Sequence, residues 1–358
     1  MKKINFVLSS NYDRAVGGFK IVYQYANELV KRGYEVKITY LFNAKGKSVV
    51  LAKTARFINN HVYQKVPHKS EVTWFDLDDK IELFFDVTSV SEFPDADIVI
   101  ATAALTTQIV SKLPQSKGKK MYFIQDYETE RFGNTVEEVE HSYRLGFQNV
   151  VISHELSDIV EKVTGIKPKY LPNFYDHSEF YLEHPIEERT NTVCLINHIH
   201  ETKRTKFGLE ILEEVKKQVP DLRIELFGAY DPVCQISNDV HFTLKATPEQ
   251  LRKNIYGQSK IYLLPSVREG WVLTGMEAMA SGAVVVASEI GGIVDYANSG
   301  NSVLITPDDK EAFVLSLLDL LANDEKRIQL AKKAQEEVQQ YEISHSGDLL
   351  VEILEALV

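Results

Sequence analysis

Glu269 and Glu277 stand eight residues apart in the stretch SVREGWVLTGMEAMASGAVVVAS, Ser266 to Ser288. The first falls in a loop after an apolar strand signal, KIYLLPS, and the second in the helix that follows. A carboxylate set into such a helix can accept bonds from a ribose hydroxyl pair, as acidic residues do in dinucleotide sites. Gly270, between the two, lets backbone amides come close to a ligand. Amides at a helix N-terminus suit a diphosphate. A carboxylate in the loop can grip sugar hydroxyls. Taken alone, two glutamates at this spacing also fit a solvated surface helix.

Strands and loops must hold these groups in place. INFVLSS reads as a strand, Gly17-Gly18 as a loop, FKIVYQYANELVKRGY as a helix with Ile21, Tyr25 and Leu29 on one face, and EVKITYLF as the next strand. This order indicates a parallel sheet. DIVIAT, KMYFIQD and NVVISH continue it, each with a polar residue at its carboxyl end, the end that faces ligand in doubly wound sheets. NTVCLINH restarts the pattern, followed by an amphipathic helix in FGLEILEEVKKQVP and strands in LRIELFG, KIYLLPS, AVVVAS and SVLITP. Pro172 to about Thr190 lacks periodicity and reads as a linker. The expected architecture is α/β, with two facing Rossmann-like domains, residues 1–172 and 173–340, and a C-terminal helix, 341–358, packing back towards the first.

At 358 residues the chain suits about two domains. Two cysteines, Cys194 and Cys234, make neither a disulfide framework nor a metal site. They suit a reducing, cytoplasmic setting, and no signal-peptide pattern follows Met1. The net charge of −11 is uneven: residues 1–172 carry 23 Lys and Arg against 21 Asp and Glu, and residues 173–358 carry 17 against 30. An acidic second half argues against nucleic-acid binding.

Pro265, Ser266, Glu269, Gly270, Trp271, Glu277, Ala278, Met279, Ala280 and Gly282 together resemble the donor-binding motif of glycosyltransferase family 4, within the GT-B fold group. Val272 stands where that family usually has a second glycine, and Asp295 where a glutamate is common. The resemblance extends over nearly the whole chain. It implies an interdomain cleft for a nucleotide-diphosphate sugar, contacted by Gly270, Trp271, Val272, Leu273 and Thr274, with Glu269 on the sugar and Glu277 on the ribose. Gly17 and Gly18 match the glycine loop of the amino-terminal domain. The family's phosphate-binding arginine and lysine fall on His198 and Lys203. Arg204, adjacent, offers a second, bidentate cation for the charge that develops on the leaving diphosphate. Gln125, Asp126, Tyr127 and Glu128 resemble a subgroup typified by bacterial rhamnosyltransferases, with Asp126 orienting the acceptor hydroxyl or its proton.

The resemblance implies transfer with retention, without metal or cofactor, to a glycan, lipid-linked or protein-linked acceptor in bacterial surface polysaccharide synthesis. A catalytically silent subunit that binds glycan or peptide beside a partner transferase is the alternative, and a nucleotide-sugar 2-epimerase a third. Asp95-Ala-Asp97 has metal-ligand spacing but precedes a buried strand and is set aside. From Lys37 to Lys69 the chain has seven cations and no acid, interleaved with Val49, Val50, Leu51, Phe57 and Ile58. That composition suits a peripheral contact with an anionic membrane, and equally a helix packed on the sheet.

Overall fold

The computed structural model describes residues 1–12, 16–42, 72–129 and 133–358. The chain divides into two compact units. The first comprises Met1–Val151, Leu156–Leu171 and Gly347–Val358, and the second Ile152–Glu155 and Pro172–Ser346.

The first unit is built on a parallel sheet of β1 (Lys3–Leu8), β2 (Glu35–Leu41), β3 (Glu82–Val87), β4 (Ile98–Ala101), β5 (Lys119–Ile124), β6 (Gln148–Val151) and β7 (Lys169–Tyr170). Their spatial order is β3-β2-β1-β4-β5-β6-β7. Ile4 is in register with Val36 on one side and Ile98 on the other. The central strands read as unbroken apolar runs because helices cover both faces. Ile4, Ile38, Ile98, Val99 and Ile100 have no exposed surface. Among the helices are α1 (Gly17–Lys31), α2 (Ala104–Val110), α3 (Val136–Tyr143) and, from Leu156 onward, α4 (His154–Thr164).

The second unit repeats the plan with β8 (Thr192–Asn197), β9 (Arg223–Gly228), β10 (Val240–Leu244), β11 (Ile261–Leu264), β12 (Val284–Ser288) and β13 (Ser302–Ile305), in the order β10-β9-β8-β11-β12-β13. Its principal helices are α5 (Thr205–Lys216), α6 (Leu273–Ala280), α7 (Lys310–Ala322) and α8 (Asp324–Val338). Leu195, Ile211, Leu263, Val286 and Leu317 lie in one core joining the sheet to α5 and α7. The last helix, α9 (Ile343–Leu357), belongs from Gly347 onward to the first unit. There Arg32 pairs with Asp348, and Tyr34 donates to Glu355 at 2.7 Å. Among the described residues no helix is long and apolar enough to cross a membrane.

The segment from Pro172 to Thr190 is not a loose connection. It carries the fully buried Phe174, Phe180 and Ile186. The Arg189 guanidinium is buried and donates to the carbonyls of Ser259 (2.8 Å), Tyr256 (3.2 Å) and Ser281. It is anchored by aromatics and a buried cation, which carry no helical or strand period. Of the basic window, Lys37 lies in β2, nearly buried, 3.0 Å from Glu35 and 3.8 Å from Glu82. It is not an outward-facing lysine. Residues 43–69 of that window lie outside the described residues.

Candidate functional site

In the second sheet the strand order reverses direction between the neighbouring strands β8 and β11, which leaves a crevice outside their carboxyl ends. The loop after β8 carries His198, Lys203 and Arg204, and the loop after β11 carries Glu269 to Val272. The two loops are stitched by the Val267 amide donating to the Thr202 carbonyl at 2.9 Å. Lys203 Nζ donates to both oxygens of Glu269, at 2.7 and 2.6 Å. Glu269 is 6% exposed and the Lys203 side chain 17%. Two charges held this far from water cost several kcal/mol of desolvation each, offset only by their mutual attraction and bonding.

Sequence adjacency predicts that Lys203 and Arg204 act on one charge; the structure turns them apart. Arg204 has left-handed backbone (φ 53°) at the start of α5. Its guanidinium lies 3.8 Å over the Phe207 ring and pairs with Asp308. The left-handed step between the turn Glu201–Lys203 and α5 is what separates them.

His198 is held by its backbone and its ring. Its amide donates to Thr205 Oγ1 at 3.1 Å, and its Nδ1 accepts from the His200 amide at 3.1 Å. Its ring stacks on His200 at 4.9 Å. Because Nδ1 is an acceptor, the neutral ring carries its proton on Nε2. Tyr230 meets the ring edge-on at 6.1 Å, from a loop pinned by Asn197 Nδ2 donating to the Tyr230 and Asp231 carbonyls.

Helix α6 starts at Leu273, after the extended residue Val272, and buries Met276, Glu277, Ala278, Met279 and Ala280. Glu277 is 8% exposed, so it is not one of two solvated surface glutamates. Thr274 Oγ1 accepts from Tyr262 OH at 3.0 Å. Behind the loop, Trp271 packs against Tyr296 and Tyr341 at 5.5 and 5.8 Å, and Tyr296 OH donates to the Val272 carbonyl at 2.9 Å. His154, at the start of α4, donates its amide to Asp295 at 3.0 Å and bonds it again through Nδ1 at 2.9 Å.

Gly291 and Gly292 are required by close approach. A β-carbon at Gly292 would lie 2.4 Å from the Gly270 carbonyl oxygen and 2.8 Å from Trp271 Cα. Both are backbone atoms, so they yield only if the loop carrying Glu269 moves. Gly292→Ala is therefore expected to cost about 1–3 kcal/mol of stability. An unchanged urea midpoint would show that the loop gives way freely.

In the first unit Gly17 and Gly18 open α1, and a β-carbon at Gly18 would touch the Gln125 side chain at 3.4 Å. Asp126 follows the carboxyl end of β5. Its neighbour Glu128 is nearly buried and accepts from the Ala104 amide at 2.9 Å. Burial pushes its carboxyl up from 4.5 to about 8, against the lowering effect of that bond and with a smaller push from Asp126. Among the described residues no three His, Cys, Asp or Glu side chains group as metal ligands. Sequence reasoning missed the partners of Arg204, Asp308 and Phe207. It also missed the burial of Glu128, which stands four residues after the apolar run YFI with no signal of its own.

Residues 176–337 match the family model described as glycosyl transferases group 1. An uncharacterized glycosyltransferase of Haemophilus influenzae is 22% identical over 353 residues, covering 93% of this chain and 94% of its own. A D-inositol 3-phosphate glycosyltransferase of Corynebacterium urealyticum is 33% identical over 123 residues. That match covers 34% of this chain and only 29% of the relative. The fold is that of Anabaena HepE, solved in complex with UDP-glucose, with a TM-score of 0.74 at 14% identity over the full length of both chains.

Proposed function

We propose that this chain, whose second unit carries the group 1 glycosyl transferase match, moves a hexose or deoxyhexose from a nucleotide-diphosphate sugar to a glycan, lipid-linked or protein-linked acceptor. The observation that carries this reading is the Lys203–Glu269 pair at the point where the second sheet reverses. It sets a cation for a diphosphate beside a carboxylate for sugar hydroxyls. The α6 N-terminus with Gly270 to Thr274 supplies backbone amides. Glu277 accepts from the ribose, and His198, with its proton on Nε2, donates where an arginine would.

On this reading the leaving diphosphate, steadied by Lys203, takes the acceptor proton on the face it departs from, and the transfer retains configuration. No metal ion is called on, because cationic side chains answer the developing charge. Arg204, paired with Asp308, contributes less than Lys203. Asp126 orients the acceptor hydroxyl, with Gly17 and Gly18 admitting substrate close to the backbone. The setting we propose is cytoplasmic synthesis of a bacterial surface glycan, with rhamnose as the sugar.

Glu277→Ala is the direct test. Removing the charged acceptor of a buried ribose hydroxyl is expected to weaken donor binding by about 1.5–3 kcal/mol, roughly tenfold to a hundredfold, with the fold retained. Calorimetry against a panel of nucleotide sugars reads this and identifies the donor. Equal affinity in the variant and the wild type would remove Glu277 from the site.

A further inference from the structure

A pocket of about 690 Å³ opens on the first unit, lined by none of the candidate donor-site or acceptor-site residues assigned above. Its lining includes Lys119 at the first position of β5, Gln148 at the first position of β6 and Pro168 just before β7. It therefore sits at the amino edge of the sheet, whereas Asp126 follows the carboxyl end of β5. A strand of that length separates the two edges by about 16 Å.

Four cations line the pocket, Lys119, Lys120, Arg144 and Lys167, and no acid does. The three chain segments that build it are free of acids in sequence: none occurs between Asp97 and Asp126, between Glu140 and Glu155, or between Glu161 and Asp176. On a chain with net charge −11, this convergence is a local reversal of sign. Arg144 is already paired with Glu140 at 3.0 Å. Lys119, Lys120 and Lys167 have no carboxylate partner among the described residues.

Lys120 is the most telling of them. It is half-buried, its Nζ donates to the Ser111 carbonyl at 2.7 Å, and it stands 6.0 Å over the Phe147 ring. A cation withdrawn from water with only a neutral acceptor is held at a cost, and burial lowers its pKa accordingly. An anion entering the pocket would remove that cost. Three ammonium groups without a carboxylate partner suit the charge of a phosphomonoester, about −1.5 to −2 at neutral pH. Phe147 and the 72%-exposed Ile166 add apolar surface for whatever the phosphate carries. The volume falls within the range of small-molecule sites, about 300–1,000 Å³.

We propose that this amino-edge pocket is a second binding site, for a phosphomonoester of a small organic molecule, and that it is separate from donor binding. Lys119, Lys120 and Lys167 would grip the phosphate, and Phe147 would pack against the organic part.

The experiment is calorimetric titration of the whole chain with glycerol phosphate and with inorganic phosphate, at low and high salt. Wild type is expected to bind both, more weakly as salt rises. Lys119→Gln and Lys167→Gln, which keep most of each side chain, are each expected to weaken binding about tenfold. Nucleotide-sugar affinity should stay unchanged in both, which shows that the variants are folded. A third arm uses phosphatidylglycerol vesicles. Wild-type affinity retained in the two variants, no binding by the wild type, or binding to vesicles but to neither soluble phosphate would each overturn the proposal.

Discussion

Lys203→Ala is expected to abolish sugar transfer and to lower stability by about 3 kcal/mol, while adding Glu269→Gln restores the stability and leaves transfer lost. Deleting the lysine strands a carboxylate that is 6% exposed, and an uncompensated buried charge is costlier than a missing pair. Glutamine fills the same volume without the charge. Stability and transfer thus part company in the double variant, because only transfer needs the cation. Arg204→Ala is the contrast. Its loss removes a ring contact with Phe207 and a pair with the largely exposed Asp308, worth at most about 1 kcal/mol each. Urea unfolding and donor turnover on the four chains decide the matter. A double variant as unstable as Lys203→Ala, or transfer that survives in Lys203→Ala, would refute the assignment.

The second large effect concerns pH. The Glu128 carboxyl titrates at about 8 in the fold because burial disfavours its charge, against 4.5 in an open chain. Between those values the folded chain holds a proton that the unfolded chain has released, so stability falls as pH rises through this window. The slope reaches about 1.4 kcal/mol per pH unit, and the loss from pH 5 to pH 9 is on the order of 4 kcal/mol. Glu128→Gln keeps an acceptor for the Ala104 amide and has nothing to ionise. It is therefore expected to match the wild type near pH 5 and to exceed it increasingly towards pH 9. Urea midpoints of the two chains at both ends of that range provide the check. Parallel pH profiles would mean that Glu128 is not held protonated.

Both effects mark where the sequence stops being legible. The α/β class, the two parallel sheets and their central strands could be read directly, since a strand covered on both faces is an apolar run. The strands β3, β7 and β10 could not. All three are edges: β10 exposes part of every residue, β7 spans two residues and β3 fully buries only Val87. Edge strands carry little apolar signal because only part of their surface is buried. Of the site, the motif around Glu269 and Glu277 could be read, and its electrostatics could not. Lys203 and Glu269 are 66 positions apart, and only the reversal of strand order brings their loops together. Arg204 and Lys203 are adjacent, and a left-handed residue sends them apart. Glu128 differs from any loop acid only in being covered, which no spacing records.

The assignment of Gly347–Val358 to the first unit bears on how the chain folds as it is made. Glu355 bonds Lys2 across 353 positions, and Asp348 bonds Arg32 across 316. Contacts of that span pay the largest loop-closure entropy and form late. The ribosome releases these partners of Lys2 and Arg32 only after all of the second unit has been synthesised. Until then the first unit must wait with the surface meant for α9 bare, open to chaperones and proteases.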